Sequence, residues 1–231
     1  MKLLLTSAGL VNTAIVEALE DLLGKPIGAV SVMYVPTAIH ATPGGVGYAW
    51  RMLDTARLGE WNEVGLLELT ALPGVPAERW LPQLESADVV MVGGGNTPYL
   101  SFWFERSGFA ALLPRLLRRA VYVGVSAGSM VVGSNLYVDR ERLAREGVYD
   151  DDMYGDAAPF GSGSDTALAL VDFAVRPHLD SPDFPEATPG RLARLAEGPT
   201  YIIDDHSAVA VDDDVVRVIS AGNWQYLPGS Y

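Results

Sequence analysis

The 231-residue chain contains no cysteine, which excludes a disulfide framework, a thiolate metal site and a cysteine nucleophile together. Basic residues are scarce: 16 Lys+Arg stand against 29 Asp+Glu, for a formal net charge of −13. Such a chain repels a phosphate backbone instead of releasing counterions from it, so nucleic acid is not an expected partner. An anionic membrane surface is disfavoured for the same reason. Long apolar runs are missing as well, and none approaches the ~18 residues that would suggest a bilayer span. The opening Met-Lys-Leu-Leu-Leu-Thr-Ser-Ala is followed at once by Asn12, Glu17, Glu20 and Asp21, so no signal-peptide core develops. The expectation is a cytoplasmic protein with no membrane association.

What the chain does have is apolar material, 49% of residues with a mean hydropathy of +0.17, enough for one sizeable core. High net charge with this much hydrophobicity excludes intrinsic disorder. Short Val-, Leu- and Ile-rich runs at Lys2–Ser7, Ala29–Val35, Val64–Leu69, Ala87–Val92 and Val121–Val125 read as strands. Helical patterns lie at Val11–Leu23, Gly47–Leu58, Pro76–Leu84, Tyr99–Glu105 and Phe109–Arg119. Continuous apolar strands alternating with helices predict a doubly wound, mostly parallel α/β sheet covered on both faces. Further strands are expected at Leu168–Val175, Thr200–Asp204, Ala208–Val211 and Val215–Ile219, with a helix over about Glu186–Ala196. The last three follow one another too closely for crossovers and predict an antiparallel edge in the C-terminal part. Tyr149–Asp165 is the longest aperiodic stretch and a candidate functional loop. No linker or repeat divides the chain, so residues 1–231 are expected to form a single domain.

Chemistry concentrates in Gly124-Val-Ser126-Ala-Gly128, which follows an apolar strand and precedes Met130-Val-Val. This is G-x-S-x-G in the setting a nucleophile elbow needs: strand, sharp turn, helix. The turn projects the serine oxygen from the sheet edge. The flanking glycines remove Cβ atoms that would collide, and the helix N-terminus favours developing negative charge. A second loop, Gly93-Gly94-Gly95-Asn96-Thr97-Pro98, also follows a buried strand. It matches neither G-x-G-x-x-G nor a P-loop and is best placed to donate N–H groups to an oxyanion. Of the three histidines, His178 and His206 lie at strand ends and His40 in a loop. Strand ends favour the first two, and chain order favours His178 over His206 as a base. The acidic clusters Asp150–Asp152 and Asp212–Asp214 fit no calcium loop, and no metal or cofactor is expected.

The Gly-Gly-Gly-Asn-Thr loop, the Gly-Val-Ser-Ala-Gly-Ser elbow and the later Pro-His-Leu-Asp together resemble peptidase E, the aspartyl dipeptidase family of serine peptidases (S51). The resemblance implies a fold similar to class I glutamine amidotransferases, with serine where those enzymes use cysteine. It further implies Ser126 as nucleophile, His178 as base, and the N–H groups of Gly95 and Ala127 as oxyanion hole. Counting past the elbow without a gap puts Glu141 at the triad acid, with Asp139 and Asp180 as competitors. The substrate it implies is a short peptide with N-terminal aspartate. Where some members carry arginine after Thr188, this chain has Pro189, so Arg176 or Arg191 would have to meet the acidic side chain. Asn96 and Thr97 are the other candidate substrate contacts. The alternatives are a cyanophycinase-like or other amide hydrolase of this fold, or a catalytically silent binding module. A monomer or homodimer is expected.

Overall fold

The computed structural model describes residues 1–45, 47, 61–151, 156–159, 161–194 and 196–229. The expected helix Gly47–Leu58 lies almost wholly outside these residues, and part of the Tyr149–Asp165 loop does too. Among the described residues, five strands run through the first half: β1 (Lys2–Thr6), β2 (Ser31–Val35), β3 (Glu63–Leu66), β4 (Val89–Val92) and β5 (Val121–Val125). They pair in parallel in the order β1-β5-β4-β2-β3. Two short strands, β6 (Asp150–Asp151) and β7 (Asp156–Ala157), form a separate ribbon. The C-terminal part adds β8 (Ala174–Arg176), β9 (Pro199–Ile203), β10 (Ser207–Asp212), β11 (Val215–Ser220) and β12 (Trp224–Pro228).

The central strands are apolar throughout because both faces are covered. Alternate residues serve opposite cores. Leu3, Leu5, Val90, Val92 and Tyr122 pack on one side with Phe104, Phe109 and Leu113. Leu4, Val89, Met91, Val121 and Val123 pack on the other with Ile15, Leu19 and Leu22. Those last three lie on helix α1 (Thr13–Leu23), which Asn12 starts by accepting the Ile15 N–H and Gly24 ends at φ +71°. The other face is built from α3 (Thr97–Arg106) and α4 (Phe109–Leu116), which follow a one-and-a-half-turn helix, α2 (Leu81–Ser86). The helix expected at Pro76–Leu84 is thus split, with a 3₁₀ turn at Ala77–Arg79 and Pro82 in the first turn of α2.

The antiparallel edge is present. β10 pairs antiparallel with β1, and β11 with β10, across the two-residue turn Asp213-Asp214 with Asp213 at φ +50°. The second acidic cluster is therefore a hairpin turn. The sequence did not anticipate that β9 leaves this meander. It joins a second sheet of order β12-β9-β8, parallel to β8 and antiparallel to β12. The long strand expected at Leu168–Val175 shortens to β8. Residues 168–170 instead donate to carbonyls of Val131, Val132 and Gly133, bent at Ala169 with φ +48°. Among the described residues, the remaining α-helices are α5 (Ala127–Met130), α6 (Arg140–Glu146) and α7 (Pro189–Arg194). Among the described residues, no helix is long and apolar enough to cross a membrane.

Candidate active site

Ser126 occupies the turn between β5 and α5 at φ +51°, ψ −111°, a conformation that non-glycine residues avoid and that places the side chain above the sheet edge. The neighbourhood enforces it. Thr6 at the end of β1 accepts the Ser126 N–H at 3.1 Å and the Ser129 hydroxyl at 2.7 Å through its carbonyl. The Thr6 hydroxyl donates to the Gly124 carbonyl at 2.7 Å, and the buried Tyr122 phenol donates to the Gly128 carbonyl at 2.7 Å. Both flanking glycines are required sterically. A Cβ at Gly124 would stand 2.7 Å from the Gly128 oxygen, and one at Gly128 would collide with the Val92 carbonyl.

β4 and β5 pair Val92 with Gly124, so three residues further on Gly95 and Ala127 are carried to the same edge. Gly95 has φ +135°, and a Cβ there would run into the backbone of Ala38. Asn96 caps α3 by accepting the Tyr99 N–H at 2.8 Å, while its own N–H donates to the Ala38 carbonyl at 3.1 Å. Thr97 is buried, with its hydroxyl 3.7 Å from the Met130 sulfur. Asn96 and Thr97, expected as substrate contacts, thus also hold the glycine loop in place from within. Ala127 supplies the first N–H of α5, one with no intrahelical acceptor by geometry.

His178 comes to Ser126. Its Nε2 stands 2.8 Å from the serine Oγ, and its Nδ1 stands 2.7 Å from Asp205 Oδ1. The imidazole is buried and stacked on Phe184, with centroids 4.0 Å apart at 21°. Parallel pairing of β8 and β9 sets Arg176 opposite Ile202, which sends His178 and Asp205 off the same end of the second sheet. The Leu179 N–H donates to the Ile203 carbonyl at 3.1 Å and extends that pairing beyond the strands. Burial opposes ionisation of Asp205. Hydrogen bonds from His178 and Ser7, with the His178 charge, outweigh it and hold the carboxyl well below the usual carboxylate range.

The acid beside the histidine is therefore Asp205, which corrects the expectation of Glu141. Glu141 lies exposed in the first turn of α6, and Asp139 is the cap of that helix, accepting the Arg142 N–H at 2.8 Å. Asp180 is exposed at φ +55° in the loop after the histidine, its N–H tied to the Ala187 carbonyl. His178 Nδ1 faces none of these three in the way that it faces Asp205. Asp205 escaped notice because Asp204-Asp205-His206 reads as a polar turn. Asp204 is indeed the turn residue, accepting from His206 N–H and the Ser207 hydroxyl. The signal lay in the acidic residue beside it.

The other candidates are elsewhere engaged. His206 is exposed, and His40 contacts Glu68 at 3.0 Å in the loop after β2. Arg176 is buried, its guanidinium carbon 2.9 Å from the Tyr137 ring centroid. Arg191 is ion-paired with Glu186. Asp150 accepts from Arg142. The residue that sequence reasoning passed over altogether is Ser7, directly after β1, whose buried hydroxyl donates to Asp205 Oδ1 at 2.6 Å.

A mostly parallel, doubly wound sheet that presents a serine at a positive-φ strand-to-helix turn defines an α/β protein of the nucleophile-elbow kind. The chain belongs to peptidase family S51, whose family model matches residues 3–219. It is 33% identical over 187 residues to the uncharacterized peptidase PM1590 of Pasteurella multocida (strain Pm70), covering 80% of this chain and 82% of that one. Two solved structures share the fold. One, from Listeria monocytogenes EGD-e and named as a peptidase E protein, has TM-score 0.70 at 21% identity, covering 96% of this chain and 98% of that one. The other, a peptidase from an acI-B1 Actinobacterium, has TM-score 0.57 at 17% identity, covering 100% and 95%.

Proposed function

We propose that the protein is a serine peptidase of the peptidase E type that cleaves short peptides through an acyl-enzyme on Ser126. The observation that carries the reading is the line Ser126 Oγ, His178 Nε2, His178 Nδ1, Asp205 Oδ1, with contacts of 2.8 and 2.7 Å. His178 takes the Ser126 proton on Nε2 as Oγ attacks the scissile carbonyl. Gly95 and Ala127 N–H groups receive the oxyanion. The C–N bond then breaks, the leaving amine takes the proton from Nε2, and water releases the acid by the same sequence. Asp205 holds the proton on Nδ1 and stabilises the imidazolium without accepting the proton itself.

For the substrate, the proposal is a dipeptide or short peptide with N-terminal aspartate. The acidic side chain needs a cation, because a chain of net charge −13 otherwise repels it. Arg191 is the more accessible of the two candidate arginines, half-exposed on α7, and would exchange its Glu186 partner for the substrate carboxylate, whereas Arg176 is buried against Tyr137. A fluorophosphonate probe and a panel of Asp-X, Glu-X and neutral dipeptides test the reading. Ser126-dependent labelling with preferential Asp-X cleavage is the expected outcome. Labelling that persists in Ser126→Ala overturns the nucleophile. Cleavage of neutral dipeptides at equal kcat/KM overturns the aspartyl preference, and no labelling or turnover in the folded wild type leaves a binding module.

A further inference from the structure

Ser7 is the first residue beyond β1, fully buried, and not part of the Ser126–His178–Asp205 line. Strand pairing brings it there. β1 aligns Thr6 with Val125 on one side and with Ala208 on the other, so Ser7 emerges between Ser126 and Ser207. Its one hydroxyl makes three contacts. It donates to Asp205 Oδ1 at 2.6 Å, accepts the backbone N–H of His178 at 2.8 Å, and lies 3.4 Å from His178 Nδ1. The Ser7 N–H, 3.4 Å from the Ser207 carbonyl, ties the residue to β10.

On the reading of Ser126, His178 and Asp205 proposed above, we infer that Ser7 is a positioning residue for the reaction, its hydroxyl tying the acid and the histidine backbone to the strand beside the nucleophile. Three considerations support this. His178 has φ +64°, a left-handed conformation that a non-glycine residue keeps only when its surroundings impose it. The hydrogen bond to its N–H is such a constraint. Next, Asp205 Oδ1 receives two donors, the His178 Nδ1–H and the Ser7 O–H, so the carboxylate cannot rotate without losing both. Finally, the histidine and the acid come from the second sheet whereas the nucleophile comes from the first. Ser7 stands on the first sheet and grips both. It is a tether between two sheets that must agree within a fraction of an ångström for proton transfer.

The test compares Ser7→Ala, Ser7→Thr and Ser7→Cys with wild type, with Ser126→Ala alongside, in dipeptide hydrolysis and in the rate of fluorophosphonate labelling. Ser7→Ala removes the hydroxyl. It is expected to lower kcat and the labelling rate about 10- to 100-fold, with KM little changed, as a misplaced catalytic group does. Ser7→Thr keeps the hydroxyl and restores most of the turnover. Ser7→Cys, a poorer donor of similar shape, stays slow and replaces the alanine variant if that one does not fold. Circular dichroism and melting curves establish folding in each case. Loss of hydrolysis in Ser126→Ala together with wild-type kcat in folded Ser7→Ala or Ser7→Cys overturns this inference alone. Hydrolysis that survives Ser126→Ala overturns the underlying reading instead. A Ser7→Ala variant that raises KM at unchanged kcat overturns the positioning role, because the residue would then act on binding.

Discussion

His178 and Asp205 lie 27 positions apart in the chain, yet Nδ1 and Oδ1 meet at 2.7 Å because β8 and β9 run parallel and end together. Asp205→Asn keeps the shape and presents an amide where Nδ1 needs an acceptor for its proton. It is expected to lower kcat by about 10³- to 10⁴-fold with the fold intact, measured by steady-state hydrolysis. Glu141→Ala should leave kcat within about twofold, since an exposed carboxylate away from the reacting atoms adds little. Loss of turnover in Glu141→Ala with turnover retained in Asp205→Asn would return the acid to Glu141.

Asp139→Ala separates structure from chemistry. Asp139 caps α6, and its loss should cost about 1 kcal/mol of stability without touching turnover. Thermal melts and kinetics on one preparation check both halves.

The acid limb of stability should carry the signature of Asp205. Its carboxyl is held below the ordinary range in the folded protein by His178 and Ser7 against the cost of burial. Its stabilising contribution is therefore complete above the unfolded carboxylate value of about 3.9 and is lost as pH falls through the lower folded value. In urea titrations, the stability gap between wild type and Asp205→Asn should narrow as pH falls below about 4. A gap that widens as pH falls from about 4 to about 2 has the wrong sign and would falsify this linkage.

Ser126 holds φ +51° at a cost. Ser126→Gly and Ser126→Ala both remove the hydroxyl, but only glycine relaxes the turn. The glycine variant should be more stable than the alanine variant by about 1 kcal/mol, seen as a melting temperature ~2–4 °C higher. Both should be inactive. If the alanine variant melts at the higher temperature, the turn is not strained.

Gly128→Ala and Gly95→Ala should both be severe, because their Cβ atoms would meet the backbone of Val92 and of Ala38. A loss of about 3 kcal/mol or more is expected at each. Gly74→Ala, where nothing stands within 4 Å, is the control and should melt near wild type.

Local pattern carried much of this protein. The elbow Gly124–Gly128 is a contiguous signal whose requirements (strand, turn, helix) are all met within ten residues, and the apolar runs of β1, β2, β4 and β5 declare a sheet buried on both faces. His178 was legible as a strand-end histidine, and the β10–β11 hairpin from the closeness of its two strands along the chain. The identity of the acid was not legible. Glu141 came from counting along the chain without a gap, whereas the acid beside His178 is set by which strands pair. β9 leaves the first sheet for the second, and the chain returns to β10 through Asp204–His206, turning Asp205 to face a histidine from another strand. Ser7 was hidden for the same reason: nothing in Leu-Thr-Ser-Ala marks it until β1 is seated between β5 and β10. Sequence thus determined the elbow that carries Ser126, the sheet and the likeness to peptidase E, because each depends on neighbours along the chain. Tertiary structure alone decided which carboxylate and which second serine reach the histidine, because those contacts depend on strand register across two sheets.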